Sequence, residues 1–215
     1  MTKIVTVRQF GKYETIGPVR LPLLLVNGEV GQFSIWYFSF PKGKYAVLLK
    51  GNMLQDKKAL VRIESICIWA HLFNSQYCDC DWQLQEAKRR IHEARRGMII
   101  FALDEHGKSV GLRNHFIVYA EGQRRKKELV VDAYKALGLN EDYRKNYQDV
   151  ADILLHFGIK DIRLMTNNPQ RTKLLRKAGI RIKRVALEMP LNSYNKEEMI
   201  IKKTKLGHLL TLRKK

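Results

Sequence analysis

The chain has 215 residues, 45% of them hydrophobic, which fits one large domain with a substantial core. No apolar run approaches the roughly 20 residues of a membrane-spanning helix, and the N-terminal residues lack the apolar block of a signal peptide. We therefore expect a cytoplasmic protein without a membrane partner. The formal net charge of +19 favours a polyanionic partner, a nucleotide or a nucleic acid, although a solvated basic surface would give the same value.

The first part of the chain is predicted to be mainly β-structure. Residues 1–18 are expected to form a loosely attached lead-in to a single domain that spans residues 19–215. Between Leu21 and Leu49, β-branched and aromatic residues are interrupted by an Asn-Gly pair and a Pro-Lys-Gly triplet, which are turn signals. A further strand is predicted from Leu60 to Ser65.

The second part of the chain alternates between helical and extended patterns. Predicted helices cover residues 81–96, 111–120, 130–137, 150–157 and 169–178, and predicted strands cover residues 98–103, 162–165 and 180–187. This alternation predicts an α/β layered fold.

Three cysteines lie close together in the sequence: Cys67, Cys78 and Cys80. An odd number without a secretion signal argues against a disulfide framework. Zinc prefers thiolate and imidazole ligands, and three cysteines would leave a fourth position open for water, as in a catalytic site. Two alternatives stay open at this point. The thiols could be free and partly buried, or His71 could complete a closed structural site.

Several motifs resemble, in order along the chain, those of the GTP cyclohydrolase II family. Arg62-Ile-Glu-Ser-Ile-Cys67 is similar to the family's Arg-Val-His-Ser-Glu-Cys, and Cys78-Asp-Cys80-Asp-Trp-Gln-Leu to its Cys-Asp-Cys-Gly-x-Gln-Leu. Further resemblances are Gly-Lys-Ser-Val-Gly-Leu-Arg-Asn at 107–114, Asp-Tyr-Arg at 142–144, Arg-Leu-Met-Thr-Asn-Asn-Pro at 163–169 and Lys-Leu-Gly-His-Leu-Leu at 205–210.

The resemblance implies a layered mixed sheet with flanking helices, a homodimer and a zinc-dependent hydrolase. The implied reaction opens the imidazole ring of GTP and releases formate and pyrophosphate, as in the first step of riboflavin synthesis. Cys67, Cys78 and Cys80 would hold Zn²⁺, and Mg²⁺ is a further candidate cofactor because it accompanies nucleotide phosphates.

The resemblance also implies roles for individual side chains. Arg144 would be the nucleophile toward the α-phosphate, Asp142 its proton acceptor, and Tyr119 a group beside the opening ring. An arginine needs such a carboxylate because its guanidinium otherwise stays protonated. Without the resemblance, Asp142 and Arg144 would be interpreted as an exposed turn. The residues implied to contact the nucleotide are Arg62, Ser65, Gln83, Glu105, Lys108, Thr166 and Arg171.

Departures from the family pattern concentrate around the substrate. Glu64 replaces a histidine, Ile66 a glutamate and Asp81 a glycine. The family's Glu-Gly-Arg turn appears as Glu-His-Gly-Lys at 105–108, with one extra residue, and Arg171 replaces a phosphate-contacting lysine.

Because the metal and nucleophile residues are kept while the recognition residues change, two enzymatic alternatives stay open. The enzyme could act on another nucleotide or nitrogen heterocycle, or it could stop at a formylated intermediate. Two non-enzymatic alternatives are a nucleic-acid-binding protein, suggested by the net charge and the basic run at 124–127, and a catalytically silent paralogue with structural zinc.

Overall fold

Eight strands build one mixed sheet in a computed structural model that describes residues 7–53, 58–107, 110–124, 134, 137–138 and 147–212. The strands are β1 (Val7–Gln9), β2 (Glu14–Leu24), β3 (Val30–Phe40), β4 (Gly43–Lys50), β5 (Ala59–Ile66), β6 (Gly97–His106), β7 (Asp161–Met165) and β8 (Arg181–Val185). Their spatial order is β1-β2-β3-β4-β6-β5-β7-β8.

Strands β1 to β4 form an antiparallel half, as the turn signals between Leu21 and Leu49 predict. The sheet reaches further toward the N-terminus than the sequence predicts, because β2 begins at Glu14 and crosses the expected boundary at residue 18. Thr15 is buried and its Oγ1 donates a hydrogen bond to the carbonyl of Tyr37 at 2.9 Å. The Gly-Pro pair at 17–18 obscures this strand in the sequence, and the β2–β3 register shifts at that point.

Helices and parallel strands make up the second half, which confirms the predicted α/β class. The described helices are α1 (Ile68–His71), α2 (Cys80–Glu93), α3 (Leu112–Arg124), α4 (Gln148–His156), α5 (Pro169–Lys177) and α6 (Lys196–Thr204). None of them is both long and apolar enough to cross a bilayer.

Four of the five predicted helices are confirmed as α2, α3, α4 and α5, with shifted ends. The helix predicted at 130–137 falls almost entirely outside the described residues. Helix α6 was not predicted, because only Met199 and Ile201 are buried in its nine residues and its apolar periodicity is therefore weak.

The sheet is covered on both faces. Helices α4 and α5 pack on one face, over a cluster that includes Val61, Ile63 and Leu164, while α2 packs on the other face, over Leu60 and Ile99. Side chains alternate along a strand, so odd-numbered residues of β5 face α4 and α5, and even-numbered residues face α2.

This alternation explains the position of two charged residues. Arg62 and Glu64 lie on the α2 face of β5, in line with Leu60 but closer to the carboxyl end of the strand, and both are buried. Strands β5, β6 and β7 run parallel, so their carboxyl ends meet at one edge of the sheet. This is the edge at which open α/β sheets bind ligands.

Two adjacent leucines of α4 provide a test of the core. Leu154 is fully buried in the larger cluster, whereas its neighbour Leu155 is 41% exposed. We expect Leu154→Ala to lower the free energy of unfolding by about 2–5 kcal/mol, because it leaves a cavity. Leu155→Ala, the matched control, should change it by less than about 0.5 kcal/mol. Equal losses in urea titrations of the two variants would contradict this packing.

Candidate active site

The three cysteine thiols converge at the carboxyl end of β5. Cys67 directly follows that strand, and Cys80 is the first residue of α2, with Cys78 just before it. The three Sγ atoms all lie within 4.8 Å of one another, and those of Cys67 and Cys78 are 3.9 Å apart. Tetrahedral zinc with Zn–S bonds of about 2.3 Å requires Sγ–Sγ separations of about 3.8 Å. The thiols therefore fit a zinc ion, and the described residues contain no other such group of three.

Burial keeps these thiols protonated in the absence of a metal. For Cys67, the contact with Cys78 lowers the pKa, but the contact with Cys80 and burial together raise it to about 12. The hydrogen bond with Cys67 and burial likewise raise the pKa of Cys78. A bound metal would replace these protons, because only thiolates ligate it.

The ring nitrogens of His71 lie next to groups other than the thiols. The backbone N–H of Cys67 donates to its Nδ1 at 3.3 Å, and its Nε2 lies 4.0 Å from Oε1 of Glu64. The ring thus bridges the end of β5 and a buried carboxylate. This arrangement counts against the closed four-ligand site and leaves a three-thiol face.

Arg62 is held by three partners beside the thiols. Its Nε donates to Oε2 of Glu64 at 2.9 Å, its Nη2 to Oε1 of Gln83 at 2.6 Å, and its Nη1 to the carbonyl of Met165 at 3.2 Å. Glu64 and Arg62 are only 2% and 5% exposed, so each neutralises the charge that the other would otherwise leave buried.

A second ion pair links the cysteine loop to the C-terminal helix α6. Nζ of Lys202 donates to Oδ1 of Asp79 and to Oε1 of Glu198, both at 2.8 Å, and Asp79 also accepts a hydrogen bond from Gln83. Burial lowers the pKa of Lys202, but the carboxylates of Asp79 and Glu198 raise it by more, to well above its usual value. Burial raises the pKa of Asp79, and Lys202 more than reverses this effect. The pair therefore stays ionised.

A third group lies where β5, β6 and α5 meet. Oγ of Ser65 donates to Oε2 of Glu105 at 3.0 Å, and Nη2 of Arg171 donates to the same Oγ at 3.1 Å. Nη1 of Arg171 donates to the carbonyl of Ile63 at 2.6 Å. Burial raises the pKa of Glu105, and the nearby Arg171 opposes that shift.

Tyr119 projects from α3 toward the thiols. Its ring lies 5.0 Å from that of Trp69 and 5.1 Å from that of His115, measured between centroids. Burial, followed by the charge of Glu198, raises its pKa far above the ordinary value. The hydroxyl therefore remains a hydrogen-bond donor throughout the neutral range.

The turn after β6 carries the extra residue noted in the sequence. Ser65 pairs with Ala102, but the next residue pairs with His106, so β6 bulges beside β5. Gly107 has φ +54°, and a Cβ there would lie 2.6 Å from the ring of His115. This position requires glycine on both counts.

These groups line one cavity of about 170 Å³. The predicted site residues that line it are Arg62, Ser65, Cys67, Cys78, Cys80, Gln83, Glu105, Tyr119 and Arg171. Thr166 lies behind the wall, where its Oγ1 accepts a hydrogen bond from the backbone of Asn168 at 3.1 Å. Lys108, Asp142 and Arg144 lie outside the described residues.

The cavity also contains residues that the sequence did not single out as site residues. They include Glu64, Asp79, His115, Tyr134, Tyr147, Asn167, Asn168, Glu198, Lys202 and His208. Asp79 lies inside the Cys-Asp-Cys motif, and His208 inside the C-terminal Lys-Leu-Gly-His segment, so the motifs held a signal for both. No pattern in the sequence indicated Glu198 or Tyr134.

The fold and the site thus define an α/β domain with a polar cavity at the carboxyl ends of its parallel strands, lined by three thiols that could hold a metal ion. The sequence profile of GTP cyclohydrolase II matches residues 25–186. The chain belongs to the GTP cyclohydrolase II family, a family of enzymes.

Individual relatives agree with this assignment. GTP cyclohydrolase-2 of Histophilus somni (strain 2336) is 36% identical over 202 residues, covering 93% of this chain and 89% of the relative. GTP cyclohydrolase-2 of Pasteurella multocida is 38% identical over 186 residues, covering 85% and 83%. Riboflavin biosynthesis protein RibBA of Staphylococcus saprophyticus is 36% identical over 189 residues, which are 85% of this chain but 45% of that longer protein.

The Lys202–Asp79 pair provides a test of how the cysteine loop is held. We expect Lys202→Met to lower the free energy of unfolding by about 3 kcal/mol, because it leaves the carboxylate of Asp79 buried without its cation. Lys203→Met, the exposed neighbour in α6, should change it by less than about 0.5 kcal/mol. Urea titration of both variants checks this, and similar values would show that the ion pair does not stabilise the fold.

Proposed function

We propose that the protein is a zinc-dependent hydrolase that opens the imidazole ring of GTP and releases formate and pyrophosphate, as in the first step of riboflavin synthesis. The observation that carries this proposal is the convergence of three thiols on the wall of a polar cavity, in a chain of the GTP cyclohydrolase II family. A homodimer, which the family resemblance implies, and a cytoplasmic location are part of the proposal.

Cys67, Cys78 and Cys80 would hold the zinc. When bound, zinc supplies Lewis acidity, which makes water a usable nucleophile near neutral pH. The protein itself holds the ligand loop in place, because Lys202 ties Asp79, the residue between two of the ligands, to α6. Tyr119 would present a protonated hydroxyl to the ring nitrogen or oxygen that gains electron density.

The arginines of the cavity would orient the nucleotide. A guanidinium has five N–H donors, and Arg62 uses three of them on Glu64, Gln83 and Met165, so two remain for substrate oxygens. Arg171 would bind phosphate oxygens at the opposite wall, close to Ser65. Lys108 is proposed as a further nucleotide contact, with Mg²⁺ accompanying the phosphates, whereas Thr166 would support the cavity wall through its bond to Asn168.

Asp142 and Arg144 are proposed for the phosphate chemistry. Arg144 would attack the α-phosphate and displace pyrophosphate, with Asp142 as the proton acceptor that makes the guanidinium nucleophilic. Loss of pyrophosphate release in an Arg144→Lys variant that keeps its zinc would support this role. Unchanged release would remove it.

A second candidate function rests on Glu64. Where the family pattern has histidine, this chain carries a carboxylate bonded to Arg62, which makes that wall of the cavity less positive. Such a change favours a substrate with a different polar edge, either another nucleotide or a related nitrogen heterocycle, or a reaction that ends at a formylated intermediate.

One experiment separates these outcomes. The zinc-loaded protein is incubated with GTP, formate and pyrophosphate are quantified, and the products are identified by mass spectrometry. A diaminopyrimidine product together with both released groups would support the proposal. A formylated product would favour the truncated reaction, and absence of turnover by a folded, zinc-loaded protein would reject GTP as the substrate.

Cys78→Ser provides the test of the metal. We expect it to lose zinc, measured by elemental analysis, and to lower GTP ring opening by about 1,000-fold or more, because serine is a poor zinc ligand and the metal activates the water. Tyr77→Phe changes the exposed neighbour in the same loop and should keep both properties. Full activity of Cys78→Ser in metal-free buffer would refute a catalytic zinc.

A further inference from the structure

The net charge of +19 is not explained by the cavity. Its described charged side chains are three cations, Arg62, Arg171 and Lys202, and four carboxylates, Glu64, Asp79, Glu105 and Glu198. The cavity is therefore close to neutral, and the surplus of positive charge lies elsewhere in the chain.

The basic run at 124–127 is the sequence feature that favoured a nucleic-acid partner. It contributes little to the positive charge of the residues that the structure describes. Arg124 forms an ion pair with Glu121, and the other three residues lie outside the described part of the chain. A denser cluster occurs along β7, α5 and β8. Its exposed members, called here the basic edge, are Lys160, Arg163, Lys173, Arg176, Lys177, Arg181, Lys183 and Arg184. Residues 163, 181 and 183 project from the face of the sheet that α2 covers, and α5 lies over the other face, so the cluster runs around the outer edge of β8.

Among the residues that the structure describes, the basic edge forms an ion pair with one carboxylate, Asp161. Asp161 is the one carboxylate between residues 160 and 184, and it is shared, because Lys58 and Arg181 both lie against its Oδ2, at 3.1 and 3.4 Å. Arg176 donates to the carbonyl of Ile182, a neutral group. The cluster therefore keeps a high local positive charge.

Arg163 and Lys183 place two like charges on neighbouring strands of the basic edge. They are register partners on the parallel strands β7 and β8, so both side chains project from the same face of the sheet, with strands about 4.8 Å apart. Both are exposed, and like charges opposed on neighbouring strands destabilise a sheet.

Protection of an edge strand explains only part of this pattern. Charged residues on β8 would block the addition of a foreign strand, since β8 lies at the end of the sheet. Arg163 lies on β7, however, which is already paired on both sides, and Lys173 and Lys177 lie on a helix. A polyanion would turn this repulsion into favourable binding energy.

We propose that the basic edge binds the phosphate backbone of a nucleic acid. No aromatic residue occurs between residues 158 and 193, so the surface lacks the stacking platforms that bind single-stranded bases. The contacts would be made to phosphates alone, without sequence preference, on a surface apart from the catalytic cavity.

Fluorescence anisotropy of the full-length, zinc-loaded protein tests this proposal. The probes are a labelled DNA duplex and a labelled RNA duplex of about 20 base pairs. With about five phosphate contacts, affinity should fall roughly 500-fold between about 50 mM and about 200 mM salt. Failure of both duplexes to bind at the lower salt concentration would overturn the proposal.

A pair of double variants locates the binding surface. Arg163→Gln/Lys183→Gln should reduce the magnitude of the salt slope by about two and weaken binding at least tenfold, with zinc content and GTP turnover unchanged. Arg20→Gln/Lys42→Gln removes the same charge from exposed positions near the other end of the sheet and should retain binding. Equal losses in the two double variants would overturn the proposal in favour of a general effect of net charge.

Vesicles rich in phosphatidylglycerol test whether the basic edge binds an anionic membrane instead of a nucleic acid. The basic edge has few exposed apolar side chains to insert into lipid, so we expect the vesicles to compete weakly with either duplex. Tight binding to vesicles without binding to the duplexes would assign this surface to a membrane and reject a nucleic-acid partner.

Discussion

The central constraint on this structure is that charged groups are buried next to three thiols. A buried charge is tolerated only with a partner, since its desolvation costs several kcal/mol. Asp79 is fixed by Lys202, Arg62 by Glu64, and Gln83 connects the two pairs by bonding to both Arg62 and Asp79. This continuous chain joins β5, the start of α2 and the C-terminal helix α6, so the cavity forms only when these distant segments pack together.

The same constraint explains which parts of the structure could be predicted from the sequence. Elements with a strong apolar period, such as α2, α4 and β7, were predicted to within a few residues, because burial of one face determines them. Helix α6 was missed because it is held by the ion pair of Lys202 and by only two buried apolar side chains. Strand β2 was shortened because its Gly-Pro pair resembles a loop signal.

The site residues likewise fall into those that sequence motifs indicate and those that they do not. The cysteines and the motif residues Arg62 and Gln83 line the cavity, and their roles there stay predictions. Residues that act through pairing, such as Glu198, could not be found. Nothing in a single sequence shows that its carboxylate will meet Lys202, or that this lysine will also pair with Asp79, more than a hundred residues away. Thr166 shows that a motif can be present without its side chain reaching the cavity. Its motif is present, but its hydroxyl caps the following turn behind the cavity wall.

Residues at which the chain departs from the family pattern make specific contacts around the cavity. Glu64 bonds to Arg62 and also approaches His71, the last residue of α1, so this side chain connects strand β5 to the segment between the first two cysteines. The register shift of β6 beside β5 ends at His106, whose Nδ1 lies 3.4 Å from Nδ1 of His115. Glu64, Glu105 and Gly107 line the cavity, and the three thiols beside them lie at separations that fit zinc. In this chain, therefore, the three-thiol face and the rest of the cavity wall are built on the same elements, because β5 and the start of α2 carry or directly adjoin residues of both.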